Sequence, residues 1–273
     1  MACTNDTSCN KACARPRGVL YSFFTTLLLW CYFLGAGIFF VLVFYLPAYV
    51  FSRNREHRFE QLNSRFFRGF LWLVRLFFPM HQWQIDEKMR RIKSSIVICN
   101  HVSYLDPLIC IALFERQKTI VKPLFFSLPV FGWLVRVSGY LPATTRGRFS
   151  AMMIEQVEKM SDYLADGGIL FVFPEGTRNQ QGKLGSFQQG IFKIARLCQA
   201  SLVVVKIENS DKVFAPGNFL FSASSTESVR VRVVGSIRPD YTANPPTAAT
   251  LEQMAVSMLA GTDAACPENE QHF

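Results

Sequence analysis

Charge is what the sequence first withholds. Residues 18–52, 35 in a row, include no Asp, Glu, Lys, Arg or His. Uncharged runs this long are rare outside membranes, and a cleaved signal peptide has a much shorter apolar core, so a retained anchor is expected. Eight cysteines occur, none in a Cys-x-x-Cys pair, which excludes the paired spacing of a structural zinc site. Cys99, Cys110 and Cys198 stand among apolar residues and read as small core residues of a reduced, cytosol-facing domain. A Gly-x-Ser-x-Gly elbow is also missing, so the usual α/β-hydrolase nucleophile has no place here. No internal repeat or low-complexity tract appears.

What is present is basic. Lys and Arg number 29 against 20 Asp and Glu, a net charge of +9. Residues 53–93 carry ten of the basic and four of the acidic residues, hence +6 of that charge. A basic stretch directly after an apolar run reads as a membrane-surface segment and argues against nucleic acid as the partner.

One straight helix over 18–52 would be roughly 50 Å long, against a hydrocarbon core of about 30 Å. Gly35, Gly37 and Pro47 are candidate breaks. Basic residues flank both ends, with Lys11, Arg15 and Arg17 before and Arg53, Arg55 and Arg58 after. A re-entrant hairpin breaking near Gly35 satisfies the positive-inside rule better than a single span. Residues 55–78 read as a helix on which Arg58, Arg65, Arg68 and Arg75 share a face about 100° wide. Phe59, Phe66, Phe70, Val74 and Phe77 gather beside them, as expected of an interfacial helix with rings among acyl chains and guanidinium groups at phosphates. The alternative is a helix packed on the protein core with a solvated arginine face.

Beyond this, short apolar runs at 95–99, 119–121, 169–173, 202–207 and 229–234 read as strands. Helical stretches at 108–114, 150–165, 187–198 and 251–259 separate most of them. That alternation predicts an α/β fold, a mostly parallel sheet flanked by helices, with an N-terminal membrane-embedded helical anchor. The expected division is a polar tail at 1–17, an anchor at 18–52, a basic interfacial segment at 53–93, a catalytic domain at 94–260 and a tail at 261–273.

Two polar clusters fall at predicted strand ends, where ligands gather in such sheets. Asn100-His101 follows the first strand, and Asp106 lies five residues after His101. An imidazole can take a proton from a hydroxyl, and a carboxylate on its other nitrogen fixes the tautomer. On a straight helix the two side chains would diverge by about 140°, so a helix must begin inside the motif for them to meet. Pro107 favours such a start. The residues alone also allow Ser103 and Asp106 to be a helix-capping pair beside an ordinary loop histidine. The second cluster, Pro174-Glu175-Gly176-Thr177-Arg178, offers a flexible turn, a hydroxyl and a guanidinium suited to phosphate. Lys122 and Arg146 are further cations near predicted strand ends.

On these residues the chain resembles the glycerophospholipid acyltransferase family, typified by the 1-acyl-sn-glycerol-3-phosphate acyltransferases. Asn100-His101-x4-Asp106 matches the first family block and Phe173-Pro-Glu-Gly-Thr-Arg178 the third. Val121-Lys122-Pro-Leu-Phe, Pro129-Val-Phe-Gly132-Trp133 and Gly139 to Arg146 are similar to the second. The resemblance spans about residues 94–235. It implies a catalytic dyad of His101 and Asp106. It also implies a turn of Glu175, Gly176, Thr177 and Arg178 that holds the acceptor phosphate, with help from Arg146 and Lys122. No cofactor is implied; acyl-CoA or acyl carrier protein would be the acyl donor and a lysophospholipid the acceptor. The fourth block departs from the family, reading Leu202-Val-Val-Val-Lys206 without its proline. By family habit the protein would sit in the endoplasmic reticulum membrane of a eukaryote, its active site facing the cytosol, or in a bacterial inner membrane. Acylation of another lysophospholipid or of glycerol-3-phosphate, and a non-catalytic membrane-binding role, are the competing readings.

Overall fold

A computed structural model of the chain describes residues 18–144, 146–176, 185–222 and 226–261. Helix α1, Val19–Phe51, is long and apolar enough to cross a membrane by length and composition. It does not break at Gly35: π-helical turns at Tyr32–Ala36 and Val41–Tyr45 absorb the glycine-containing stretch, and the helix continues. The chain folds back instead at residues 52–54, where the Asn54 side chain accepts the His57 N–H and starts α2, Arg55–Phe77. The two helices then run antiparallel. Tyr45 packs on Phe59, Tyr32 stacks on Phe66, and the Tyr21 hydroxyl donates to the Phe77 carbonyl at 2.5 Å.

This pairing corrects the expectation that the rings of α2 lie among acyl chains. Phe59, Phe66, Phe70 and Val74 are buried between α1 and the sheet domain, not turned to lipid. A 3.6-residue periodicity marks an apolar stripe without naming what covers it. The arginines do face outward: Arg58, Arg65, Arg68 and Arg75 are all exposed. Arg68 donates to the Ala112 carbonyl and pairs with Glu115 at 3.0 Å, while Arg75 lies over the Trp83 ring.

The strands are β1 (Trp83–Ile85), β2 (Ser95–Cys99), β3 (Gln117–Val121), β4 (Leu141–Pro142), β5 (Ile169–Val172), β6 (Ser201–Glu208) and β7 (Val229–Ile237). They form one sheet in the order β1-β7-β6-β2-β5-β3-β4. The five from β6 to β4 are mutually parallel, and β7 closes antiparallel on β6. The expected mostly parallel sheet is therefore present. Strand β1 pairs with β7, so the sheet reaches into the segment expected to be interfacial.

Helices cover both faces, as a sheet buried on both sides requires. On β2, Val97 and Cys99 point to the layer of α2 and α3 (Leu105–Leu113). Two short helices, α4 (Pro123–Ser127) and α5 (Phe131–Val137), follow β3. Ile96 and Ile98 point to the opposite layer. That layer holds α6 (Ser150–Glu158), α7 (Met160–Ala165), α8 (Gln189–Leu197) and α10 (Ala248–Gly261), whereas α9 (Ser210–Val213), at the end of β6, packs Val213 on the α2–α3 side.

Candidate active site

Parallel alignment puts the C-terminal ends of five strands on one edge. In sheet order that edge carries Asn209 and Ser210 after β6, Asn100 and His101 after β2, Phe173 to Gly176 after β5, Lys122 after β3 and Arg146 beyond β4. Asn100 ties the middle of this edge together. Its side chain donates to the Ile207 carbonyl at 2.8 Å and accepts the Ile207 N–H at 2.7 Å, extending the β2–β6 ladder beyond the strand.

His101 and Asp106 meet. His101 Nδ1 lies 3.0 Å from Asp106 Oδ2, and the same oxygen accepts the N–H groups of Val102 at 2.7 Å and Ser103 at 2.8 Å. Helix α3 begins at Leu105, inside the motif, so the carboxylate turns back over the loop that holds His101. The His–Asp contact and the local turn bonding of Ser103 and Asp106 occur together. Ser103 Oγ accepts the Leu105 N–H as a cap, and Asp106 serves the loop and the imidazole at once.

Ser210 completes the arrangement, and nothing in the motif pointed to it. Its hydroxyl donates to Asp106 Oδ1 at 2.5 Å, and both side chains are fully buried. Asn209 makes the tight entry to α9 in a left-handed conformation, φ 61°, which asparagine tolerates, and its amide donates to the Ser228 carbonyl. An Asn-Ser pair just beyond a strand end was the only available signal.

A carboxylate oxygen beside Nδ1 can accept a proton carried there, the tautomer in which Nε2 is the ring acceptor. The imidazole stacks on Phe173, ring centres 4.4 Å apart, and its side chain retains 15% of its exposure. The Ser103 hydroxyl donates to the Phe214 carbonyl and the Ser210 hydroxyl to Asp106. Among the described residues no side chain is poised on Nε2 as a nucleophile.

The turn after β5 is described only through Gly176; Thr177 and Arg178 lie outside the described residues. Glu175 is a clasp within the protein: one carboxylate oxygen accepts the His101 N–H at 3.3 Å and the other the Gly185 N–H at 3.1 Å. Gly176 takes φ 66°, and a Cβ there would press on the Gln188 amide, so the turn requires glycine. Lys122 and Arg146 are exposed on the same edge. They follow strands two and three places from β2, which sets them roughly 10 and 15 Å along it at the usual strand spacing. Among the described residues no cluster of His, Cys, Asp and Glu could hold a metal ion.

Residues 82–208, from just before β1 to the end of β6, match the acyltransferase family model. The chloroplastic 1-acyl-sn-glycerol-3-phosphate acyltransferase of Arabidopsis thaliana is 28% identical over 152 residues, 54% of this chain and 42% of that protein. Its counterpart in Brassica napus, also chloroplastic, is 28% identical over 172 residues, 59% of this chain and 49% of that one. The chain thus spans about half the length of these curated relatives. The crystal structure of the 1-acyl-sn-glycerophosphate acyltransferase PlsC from Thermotoga maritima superposes with a TM-score of 0.64 at 17% identity. It covers 89% of this chain and 94% of that one, a likeness of fold. Residues 82–208 are similar to the acyltransferase family, and over a little more than half of its length the chain is similar to 1-acyl-sn-glycerol-3-phosphate acyltransferases.

Proposed function

We propose that the protein is a membrane-bound acyltransferase that moves a fatty acyl group from acyl-CoA to the sn-2 hydroxyl of lysophosphatidic acid, forming phosphatidic acid. The observation that carries this is the His101–Asp106 pair, joined at Nδ1 at the C-terminal edge of a parallel sheet, with no partner on Nε2 among the described residues.

In this mechanism the acceptor hydroxyl gives its proton to His101 Nε2 as its oxygen attacks the thioester carbonyl carbon. Asp106 stabilises the imidazolium that forms. The tetrahedral intermediate then expels the thiolate as the C–S bond breaks, and the imidazolium returns the proton to sulfur. Direct transfer fits a site where, among the described residues, no serine or cysteine is hydrogen-bonded to Nε2. The turn from Glu175 to Arg178, with Lys122 and Arg146, would hold the acceptor phosphate. The exposed apolar face of α1, including Leu20, Phe24, Leu28, Leu34, Ile38 and Leu42, supports a bilayer as its partner. The outward arginines of α2 suit headgroup phosphates beside it. The plant relatives are named as chloroplastic enzymes, so the compartment need not be the endoplasmic reticulum.

The test is transfer of labelled acyl groups by the purified protein in detergent, with acyl-CoA and acyl carrier protein as donors. Lysophosphatidic acid, other lysophospholipids and glycerol-3-phosphate serve as acceptors. Transfer to lysophosphatidic acid that is lost with His101→Ala is expected. No transfer to any acceptor, or equal transfer by the variant, would refute the reading. Free fatty acid released without an acceptor would mark a hydrolase instead.

A further inference from the structure

Residues 123–135 contain no charged side chain. They fold into a knob of α4 and α5 directly after the C-terminal end of β3. The inner side of the knob is core: Phe126 and Val135 are buried with Tyr140, and Arg136 donates to the Phe126 carbonyl. Gly132 lets the two helices touch, since a Cβ there would stand 2.4 Å from the Phe126 carbonyl oxygen. The outer side is bare. Leu124 is 69% exposed, Val130 55%, Leu128 40% and Phe125 37%. Val130 is also held at φ 59°, in the left-handed region that a β-branched residue adopts only at a cost. Backbone strain that presents an apolar side chain outward fits a surface used for contact.

Continuity identifies the occupant. Trp133 on α5 meets Tyr49 near the end of α1 and Phe59 on α2, with ring centres 5.5 and 5.2 Å away. The knob is therefore joined through Trp133 to the end of α1, where Val50 and Phe51 are exposed. A second outcrop lies across the catalytic edge: exposed Phe219, in the segment between β6 and β7, stacks on Trp30 of α1 at 5.4 Å. Trp30 and Tyr49 are about 28 Å apart along a helix. The two outcrops follow β3 and β6 and so bracket β2 and β5, whose ends carry His101 and Glu175. Lys122 begins the knob, and Arg55 lies over the Tyr49 ring, so cations stand beside the apolar surface. Apolar tips with cations at their base match the layering of acyl chains and headgroup phosphates.

We propose that the α4–α5 knob is a second lipid-embedded element. Leu124, Phe125, Leu128 and Val130 enter the acyl region of the bilayer beside α1, and the catalytic edge opens onto the membrane between the knob and the Phe219 outcrop. The inference rests on the bilayer reading of α1 made above. It gives the lipid acceptor a lateral path to His101.

Lipid contact can be mapped without turnover. The full chain is placed in phosphatidylcholine–phosphatidylglycerol vesicles containing a phosphatidylcholine with a diazirine on one acyl chain, irradiated, and its adducts located by mass spectrometry. Adducts on residues 123–131 as well as on 19–51 are expected. Adducts on 19–51 alone would overturn the knob and leave the anchor standing, including the case where a second copy covers the knob and cross-links to it. Adducts on neither segment would overturn both. The double variant Leu124→Glu, Leu128→Glu changes two exposed side chains. It should lower transfer to vesicle-embedded lysophosphatidic acid by about ten-fold or more, because a carboxylate resists burial among acyl chains. Transfer to a short-chain acceptor dispersed in detergent should stay within about two-fold of the parent. Unchanged activity in both formats, or equal loss in both, would overturn the proposal.

Discussion

Ser210 reaches Asp106 across 104 residues of sequence, its hydroxyl donating at 2.5 Å to the oxygen that His101 does not use. The carboxylate is thereby held by a loop after β2 and a helix after β6, strands that pair along Ser95 to Cys99. The imidazole takes its orientation from the sheet. Ser210 touches no reacting atom in this arrangement, so it is a positioning residue. Ser210→Ala is expected to lower kcat by about ten-fold, the value of one buried hydrogen bond to a charged group, with KM nearly unchanged. Ser210→Thr should restore part of the rate. Steady-state kinetics on the three proteins decide it; a change confined to KM would contradict the assignment.

Asp106→Asn keeps an oxygen for the Val102 and Ser103 N–H groups but no longer enforces the Nδ1–H tautomer of His101. Transfer should fall by about 10³- to 10⁴-fold, as in other sites where a carboxylate orients a histidine base. Retained circular dichroism would separate this loss from unfolding.

Asn100→Ala removes both hydrogen bonds to Ile207 and leaves its buried N–H and C=O without these partners. The expected cost is about 2–4 kcal/mol, read as a lower denaturation midpoint at unchanged slope. An unchanged midpoint would show that the ladder does not need this clamp.

Glu60 on α2 is wholly buried, and burial pushes its carboxyl up to about 8 against the opposing pull of Lys118. In the unfolded chain a glutamate titrates near about 4.3. Between those values the folded protein binds the extra proton, so stability should fall as pH rises toward 8 and level off above it. Glu60→Gln should flatten that decline, which spans on the order of a few kcal/mol. Urea denaturation from pH 5 to 9 tests it; parallel curves for parent and variant would refute the assignment. Lys118 keeps Glu56 and Gln156 as partners in the variant, so no new unpaired charge is created.

Much of this was legible in the sequence because it is local. The strands expected at 95–99 and 169–173 are β2 and β5 to within a residue, and their apolar runs are explained by burial on both faces. The two-residue strand β4 and the short helices α4, α5 and α9 were not legible, since elements of that size carry too little periodicity to read. The candidate base and its carboxylate stood five residues apart in one motif. Ser210 stands two residues past the end of the family match and joins the site only through β6.

The sequence by itself determined that a long uncharged segment precedes a mostly parallel α/β domain, and that His101 and Asp106 follow a strand end. Those features follow from runs, periods and spacings along the chain. Tertiary structure decided where the chain turns back, at 52–54 and not at Gly35, because the helix accommodates its glycines with π-helical turns. It also decided that the phenylalanines of α2 meet α1 and the sheet domain, since an apolar stripe does not specify its partner. Finally it supplied the second donor on Asp106, because a hydroxyl 104 residues away has no sequence relation to the motif until the strands pair.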